Sequence, residues 1–493
     1  MKLLLVQPPA ATRFGFTSVM LSEPLGLECI GGAVLSRGYG AELVDLRLDG
    51  WEALEKALAD EPTALGVTCA FTTDVYVCRQ VAAFARQRTP HLPVVVGGHH
   101  ATLSPGDFLY PGSPVGAVCI GEGEATTVEL LEAIDAGAPL RSIPGLMTSS
   151  NRGNGFVPRR FTPRLDDLPR PSRRLTERYR HRYHHGLVAR SASLETSRGC
   201  PFDCSFCSVW VFYGRSARRR SAGSILEELE RIDEDHVFIT DDLAFLDHAA
   251  YRELASGMKD RGICKSFTCE TRSDLVVQHP DLFELWRSAG LTSVFLGVEK
   301  VDDQGLDSVR KRVRGGAGTN QEAVRILRAV GVRPMTAFIV DPGWTEEDFD
   351  RLEEYIDRLA LPNSSFTILT PLPGTPLFEE RQADLTTRDY RYYDVLHAVL
   401  PTRLPPERFY QRFARLWKSA ARETRPSWAL AGNAVRLALR GDLWCARRVQ
   451  KAVRQLRTAE LYLEPPGSPY GPEPAATSST SSSPSAATRP TSR

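Results

Sequence analysis

The 493-residue chain carries almost no net charge, has no long apolar run and contains few cysteines for its length. Its 61 Lys and Arg residues nearly balance its 60 Asp and Glu residues, so we do not expect a dedicated nucleic-acid binder. No apolar run reaches the roughly 18 residues that a transmembrane helix requires. The ten cysteines, without a recognisable secretory signal, argue against a disulfide scaffold and for the reducing cytosol.

The first 145 residues alternate between apolar strand patterns and helical patterns, which predicts an open parallel α/β sheet covered on both faces. The first helix is expected to begin near Pro24, because proline suits the first turn of a helix. We therefore predict a Rossmann-like domain over residues 1–145. Its predicted strands are residues 2–9, 41–48, 64–71, 93–98 and 117–121.

Ligands of such sheets bind beyond the carboxyl ends of the strands. Small or polar residues follow the fourth and fifth predicted strands, which makes them candidate binding residues. No G-x-G-x-x-G sequence lies between the first strand and the first helix, so a dinucleotide site is unsupported. The candidates are Gly97, Gly98, His99, Gly121, Glu122 and Gly123.

Three cysteines lie close together in the run TSRGCPFDCSFC, residues 196–207. Cys200, Cys204 and Cys207 have the spacing C-x3-C-x2-C, and Phe206 precedes the last of them. Thiolates at this spacing can ligate three irons of a four-iron, four-sulfur cluster and leave the fourth iron open. The amino and carboxylate groups of S-adenosylmethionine (SAM) can chelate that iron, and the cluster can then reduce the sulfonium.

Two other readings of the cysteines are weaker. A structural zinc site usually needs four Cys or His ligands, often as two separated pairs. The remaining candidates, Cys264 and Cys269, are five residues apart in a strand-like segment. The low cysteine density also disfavours a disulfide.

A second alternation of strands and helices begins near Ser193, and polar residues follow its strands. Asp241 and Asp242 follow the second strand, Glu270 and Arg272 the third, and Glu299 the fourth. Glu270 and Arg272 suit the ammonium and carboxylate of SAM, whereas the other three could contact ribose or substrate. Any one of these acids alone could instead be a helix cap or a salt-bridge partner. The predicted strands are residues 194–198, 236–241, 266–271, 293–298, 333–340 and 364–370.

Residues 196–207 resemble the signature of the radical SAM superfamily. The resemblance implies that Phe206 packs near the adenine of SAM. It also implies that residues 191–400 form a partial (β/α)6 barrel, open on one side, with functional groups at the C-terminal ends of its strands.

The first domain resembles the cobalamin-binding domains that precede some radical SAM barrels. The similar runs are EPLGL (23–27), VGGH (96–99) and GEGE (121–124). The D-x-H-x-x-G motif, which supplies an axial histidine in other cobalamin proteins, is absent. The dimethylbenzimidazole is therefore expected to be off the cobalt, and His99 need not be a ligand. A histidine at a strand end is more often a hydrogen-bonding residue.

Within this class, the chain is most similar to the hopanoid C-3 methyltransferase group. That resemblance implies methylation of an unactivated carbon in an apolar small molecule. One SAM would methylate reduced cobalamin, and a second would yield the 5′-deoxyadenosyl radical that removes a substrate hydrogen. The similar runs are residues 195–201, 212–216, 295–299, 310–313, 385–394 and 397–405.

An electron donor of the flavodoxin or ferredoxin type is also implied. Three alternatives stay open: the same chemistry on another polycyclic or natural-product scaffold, a cyclase or rearrangement enzyme, and a non-enzymatic redox sensor. The sensor is the most distant of these, because no DNA-binding helix pair is recognisable.

The remaining segments are a linker, a basic helical region and a tail. In the linker, residues 146–190, we expect Arg159, Arg160, Arg173 and Arg174 to be solvated. Residues 401–463 look helical, and their basic stretch 427–458 could rest on an anionic membrane at the inner face or pack on the barrel. The tail, residues 464–493, is expected to be disordered because it is rich in Pro, Ser, Thr and Ala.

Overall fold

The structure, a computed structural model, describes residues 1–12, 19–420 and 443–467. Its N-terminal part alternates strands with helices, as the sequence predicts. The elements are β1 (Lys2–Gln7), β2 (Met20–Leu21), α1 (Leu25–Ser36), β3 (Gly40–Asp45), α2 (Trp51–Ala59), β4 (Ala64–Thr68), α3 (Val75–Arg88), β5 (Val94–Gly97), α4 (His99–Leu103), β6 (Ala117–Cys119), α5 (Glu124–Asp135) and β7 (Leu146–Thr148).

Six of these strands form one sheet in the order β3-β1-β4-β5-β6-β7. The first five are parallel, which confirms the predicted Rossmann-like sheet, whereas β7 runs antiparallel to β6. The β7 strand lies in the segment predicted to be linker. Three residues are too few to show a strand pattern in sequence.

Both faces of this sheet are covered, which explains why its strands are almost continuously apolar. Along β1, Leu4 and Val6 pack in one core with helices α2 and α3. Leu3 and Leu5 point to the opposite core, with helices α1 and α5.

The second half repeats the alternation. Its elements are β8 (His184–His185), β9 (Val188–Ala189), β10 (Ser191–Leu194), β11 (Ser197–Arg198), α6 (Val209–Tyr213), β12 (Arg218–Arg219), α7 (Ala222–Leu229), β13 (His236–Ile239), α8 (His248–Asp260), β14 (Ser266–Thr271), α9 (Ser273–Gln278), α10 (Pro280–Ser288), β15 (Leu291–Glu299), α11 (Asp303–Ser308), α12 (Gly318–Ala329), β16 (Arg333–Val340), α13 (Glu346–Leu359), β17 (Ser365–Ile368), α14 (Pro376–Arg381), α15 (Pro406–Ser419) and α16 (Leu443–Leu456).

Six parallel strands, in the order β10-β13-β14-β15-β16-β17, form the second sheet. Strands β10 and β17 are its two edges, so the predicted partial barrel is confirmed. The first barrel strand is Ser191–Leu194 rather than residues 194–198. The chain leaves the sheet after Leu194, because Thr196 and Ser197 bond instead to Asp241.

The C-terminal region is described in part. Within the predicted basic stretch 427–458, residues 443–456 form α16, and residues 427–442 lie outside the described residues. Residues 468–493 of the predicted tail also lie outside them. Among the described residues, no helix is long and apolar enough to cross a membrane.

The linker does more than connect the two domains, because two of the four arginines predicted to be solvated are held in ion pairs. Arg173 bonds to Glu23 of the first domain at 2.5 Å and to Glu228 of the second at 2.6 Å. The expectation of a solvated surface is wrong for Arg173 and for Arg159, which pairs with Glu129. It is confirmed for the exposed Arg160 and Arg174.

We predict that Arg173→Ala destabilises the protein, because the buried Glu23 and Glu228 each lose one of two arginine partners and keep only Arg180 and Arg220. Removing a partner from buried carboxylates destabilises proteins by up to about 3–5 kcal/mol. Urea unfolding followed by circular dichroism would measure the shift in midpoint. The neighbouring exposed Arg174→Ala is the control, with an expected change of at most about 0.5 kcal/mol. Equal midpoints for the two variants would contradict this account.

Candidate active site

The three cysteines lie in a loop between β11 and α6, at the C-terminal end of the barrel strands. Their thiols are free and partly exposed. Gly199, just before the first cysteine, has φ +92°, and a Cβ atom there would lie 2.2 Å from the Ser216 carbonyl oxygen. Its N–H donates to Asp242 at 2.9 Å. The loop therefore requires glycine at this position.

The thiols fit an iron–sulfur cluster better than a single ion. Among the described residues, no group of three or more Cys, His, Asp or Glu side chains could hold one metal ion. The three ligands of a cubane cluster bind three different irons, so they are spaced more widely than the ligands of one ion. Burial raises the pKa of all three thiols, that of Cys207 to about 12, whereas metal coordination deprotonates a thiol.

Asp241 is fully used within the protein. Its carboxylate accepts from the Thr196 N–H at 2.6 Å, from the Ser197 hydroxyl at 2.6 Å and from the Tyr251 hydroxyl at 3.1 Å. These bonds hold the turn that leads into the cysteine loop. The structure therefore gives Asp241 a positioning role, and its suggested contact with ribose or substrate stays a prediction.

Three other carboxylates lie near one another at the strand ends. Burial, together with the charges of Asp242 and Glu299, raises the pKa of Glu270 to about 7. Burial also raises the pKa of Asp242 to about 6. Glu299 has φ +64° and is paired with Lys311 at 2.9 Å. The Glu270 carboxyl has no hydrogen bond or ion pair within the described chain, so it is available to a cationic ligand.

Arg272 is held by protein groups. Its guanidinium forms two 3.0 Å bonds to Asp274, donates to the Arg312 carbonyl and stacks on Phe202 at 3.8 Å. Phe202 lies between Cys200 and Cys204. The fork predicted to bind the SAM carboxylate is thus occupied by Asp274, and the guanidinium face supports the cysteine loop.

Phe206 lies against a small apolar cluster at the ends of the last barrel strands. Ile339 and Leu369 belong to this cluster, and the rest of it comes from Val309 and Leu377. The Leu377 N–H donates to the Ser205 carbonyl at 3.0 Å, which fixes the backbone beside Phe206. The position is compatible with the predicted contact to adenine.

The first sheet carries a cavity at the carboxyl ends of its strands, facing the cysteine loop. Four of the predicted residues, Gly97, Gly98, Gly121 and Gly123, line it together with Glu122. The lining also includes Gly26, where an added Cβ atom would meet nothing within 4 Å, and the aromatic residues Phe212 and Tyr213. Six glycines line this cleft beside apolar side chains of the sheet, and such a bare backbone edge fits the nucleotide tail of cobalamin.

Gly98 shows why this edge cannot carry larger residues. It has φ +105°, and a Cβ atom there would lie 2.7 Å from the Cys69 carbonyl oxygen. The backbone of β5 can therefore turn into α4 beside β4 only with glycine at this position.

His99 lies behind this cavity rather than in its lining. Its ring stacks on Phe212 with 4.5 Å between ring centroids, and burial lowers its pKa. The Nε2 atom is buried without a hydrogen-bond partner in the structure. The role of His99 toward cobalamin stays a prediction.

Arg198 joins the cavity to the cysteine loop, and the sequence analysis did not identify it. It bonds to Glu122 at 2.8 Å, to Glu124 at 2.7 Å and to Glu195 at 2.6 Å. Arg218 also bonds to Glu122, at 2.7 Å. Arg198 is only 8% exposed and lies two residues before Cys200. Its charge within the cysteine motif was a signal, but two of its three partners, Glu122 and Glu124, lie more than 70 residues away in the chain.

We predict that Glu270→Gln stabilises the empty protein at pH 8 but not near pH 4. The folded chain keeps a proton on Glu270 up to about pH 7, whereas an unfolded chain releases it near pH 4.3. Wild-type stability therefore falls as the pH rises through this window, and glutamine has no proton to lose. We expect a gain on the order of 2–3 kcal/mol at pH 8.

Urea unfolding of the cofactor-free protein at the two pH values would measure this gain. The exposed Glu284→Gln is the matched control and should show no such pH dependence. An equal effect of Glu270→Gln at both pH values would mean that the carboxyl is ionised throughout.

Two family models match the two domains in order. The B12 binding domain matches residues 15–131, and the radical SAM superfamily matches residues 194–356. The chain is 35% identical over 426 residues to the hopanoid C-3 methylase of Methylococcus capsulatus, covering 86% of this chain and 81% of that protein. It is 27% identical over 473 residues to an anaerobic magnesium-protoporphyrin IX monomethyl ester cyclase of Synechocystis, covering 90% of each.

Two solved structures share the fold. The chain matches the radical SAM methyltransferase TsrM from Kitasatospora setae, with cobalamin and a [4Fe-4S] cluster bound, at TM-score 0.61 and 21% identity. That match covers 78% of this chain and 76% of the other. The chain also matches the cobalamin-dependent radical enzyme OxsB at TM-score 0.66 and 16% identity, and this match covers 91% of this chain and 71% of the other.

The matches agree with the geometry, because a cobalamin domain and a radical SAM barrel meet at the cavity and the cysteine loop. The methylase match is at 35% identity and extends over most of both chains. A 4Fe–4S cluster, SAM and cobalamin are therefore the cofactors of this enzyme, and the chain belongs to the cobalamin-dependent radical SAM methyltransferases.

Proposed function

We propose that this enzyme adds a methyl group to C-3 of hopanoid ring A. The observation that carries the proposal is the match to the hopanoid C-3 methylase, which extends over 86% of the chain. The other named relatives are less identical and act on chemically different substrates. The cyclase at 27% identity makes a non-methylating reaction the second candidate.

The inner face of the barrel supports an apolar substrate. Val294 and Leu296 of β15 pack in the outer core, so the alternation of the strand turns Phe295 inward. Phe295, and likewise Phe238 of β13 and Met335 of β16, are partly exposed. Partly exposed apolar side chains inside the barrel suit a polycyclic hydrocarbon.

The chain's own residues would hold the cofactors at the two facing sites. Cys200, Cys204 and Cys207 would ligate the cluster, and Glu270 would accept hydrogen bonds from the ammonium of SAM. Asp242 and Glu299 remain candidates for ribose or substrate, with Phe206 beside the adenine. The glycine-lined edge would hold the nucleotide tail of cobalamin.

When bound, these groups supply a carbon radical and a transferable methyl group. The protein holds these groups in position and excludes water from the site. Asp241 and Arg272 would keep the cysteine loop in place, and Arg198 would keep that loop against the cobalamin edge. Such preorganisation is what lets a reactive species meet only the intended carbon.

The reaction needs an electron donor, and we propose a small acidic carrier of the flavodoxin or ferredoxin type. A hopanoid also lies in a membrane, so we propose peripheral contact through α16. This helix has no acidic residue, and Arg447, Lys451 and Arg454 are exposed. Basic side chains on an amphipathic helix are attracted to anionic lipid.

The proposed substrate can be tested in a hopanoid-making bacterium that lacks ring-A methylation. Expression with cobalamin supplied should yield hopanoids one methylene unit heavier, detected by gas chromatography–mass spectrometry. A Cys204→Ala strain should yield none, because the cluster loses a ligand. Unchanged hopanoids in the wild-type strain, with soluble enzyme carrying its cofactors, would contradict the substrate. A product of altered mass without an added methylene would favour the cyclase reading.

The membrane contact can be tested by sedimentation with vesicles of mixed phosphatidylcholine and phosphatidylglycerol. Changing Arg447, Lys451 and Arg454 to Gln should weaken vesicle binding at least tenfold, since each basic residue contributes about 1 kcal/mol near an anionic surface. A control with three other exposed arginines changed, Arg37, Arg164 and Arg325, should bind like wild type. Equal binding of the two triple variants would contradict the assignment to α16.

A further inference from the structure

The segment Val309–Arg314 lies directly against the cysteine loop. The Ser205 N–H donates to the Val309 carbonyl at 3.0 Å. The Arg312 carbonyl accepts from Arg272, the arginine that supports the loop from its other side. The backbone of the segment is thus fixed next to the cluster ligands.

Side chains of this segment alternate between the protein and the solvent. Val309 and Lys311 are buried, and Lys311 reaches Glu299 at 2.9 Å. Arg310, Arg312 and Arg314 are exposed. The alternation places three guanidinium groups in a row on the outer surface, beside the loop that holds the cysteines.

The row remains positive after its ion pairs are considered. Arg310 pairs with Glu380, and Arg312 lies 3.9 Å from Asp203. Arg314 has no ion pair with any other described residue. A fourth arginine, Arg215, also shares Asp203, at 3.7 Å. Four arginines therefore face two carboxylates on this surface, and the Arg312 side chain is 76% exposed.

We propose that Arg310, Arg312 and Arg314 form the docking surface for an acidic one-electron carrier protein. The inference rests on the cluster assignment, since it concerns how that cluster receives its electron. The carrier gives up one electron and the cluster gains it, and no atom is transferred. A basic surface orients an approaching acidic partner and raises the association rate by 10- to about 1000-fold at low salt.

The position argues for a carrier protein rather than a nucleic acid or lipid. Arg312 contacts Asp203, which lies between Cys200 and Cys204. A partner bound to the row would therefore lie next to the loop that carries the cluster ligands. A short row suits the small, transient interfaces of electron-transfer partners. Two carboxylates within the surface disfavour a polyphosphate backbone.

Binding of oxidised flavodoxin to the full-length enzyme gives the first test, by fluorescence at low ionic strength. Changing Arg310, Arg312 and Arg314 together to Gln should raise the dissociation constant at least tenfold. Wild-type binding should also weaken steeply with added salt, because exposed charges are screened. The control triple variant of Arg37, Arg164 and Arg325 loses the same charge elsewhere and should bind like wild type. Equal weakening of both triples would overturn the proposal.

Cluster reduction gives the second test, followed by electron paramagnetic resonance and by release of 5′-deoxyadenosine. With reduced flavodoxin the variant should be at least tenfold slower than wild type. With titanium(III) citrate, which needs no docking surface, the rates should be equal. Slowing with both reductants would overturn docking in favour of a structural role. A wild-type cluster that titanium cannot reduce would instead overturn the cluster assignment itself.

Discussion

The active site depends on one buried cation. Arg198 holds two carboxylates of the cobalamin domain and one of its own turn, and it lies two residues from the first cysteine. An arginine buried among acids keeps a fixed geometry, because moving it would leave charges unpaired in a poorly solvated place. The guanidinium of Arg198, with that of Arg218 beside it on Glu122, therefore fixes the edge of one domain against the loop of the other. The linker arginine Arg173 does the same at a second contact.

The two domains form their cofactor sites from different chemical groups. The cobalamin edge is made from backbone, with glycines where side chains would obstruct a large, flat ligand. The barrel mouth is made from side chains, with thiols for iron and carboxylates for a cation. Radical chemistry needs both sites to share one closed space, since a primary carbon radical reacts with whatever is nearest.

Most of the fold could be predicted from sequence because buried parallel strands are almost continuously apolar. The sequence places the strands around Leu4, Leu65 and Val95 to within a few residues for that reason. The exceptions were short or polar: β7 has three residues, and the first barrel strand ends before Thr196, where side-chain bonds compete with the sheet. Local patterns cannot report such competition.

The cysteines could be predicted because their chemistry is local in sequence. The supporting groups could not, because only the fold decides which partner each one meets. The sequence offers Arg272 as a fork for a ligand, whereas in the fold Asp274 and Phe202 occupy it. Lys311 lies in a basic run, and only the folded chain brings it to Glu299. Charge in a sequence shows that a partner is needed without showing which one.

The carboxylates at the barrel mouth make the binding of a cationic ligand there depend on pH. Burial, together with the nearby charges of Asp242 and Glu299, raises the pKa of Glu270 to about 7, so it keeps a proton near neutral pH. A cationic ligand entering this place takes over the role of that proton and releases it to solvent. Occupancy of the site is then linked to acidity: a more acidic medium competes with the ligand for the same carboxylate, and a more alkaline one favours filling.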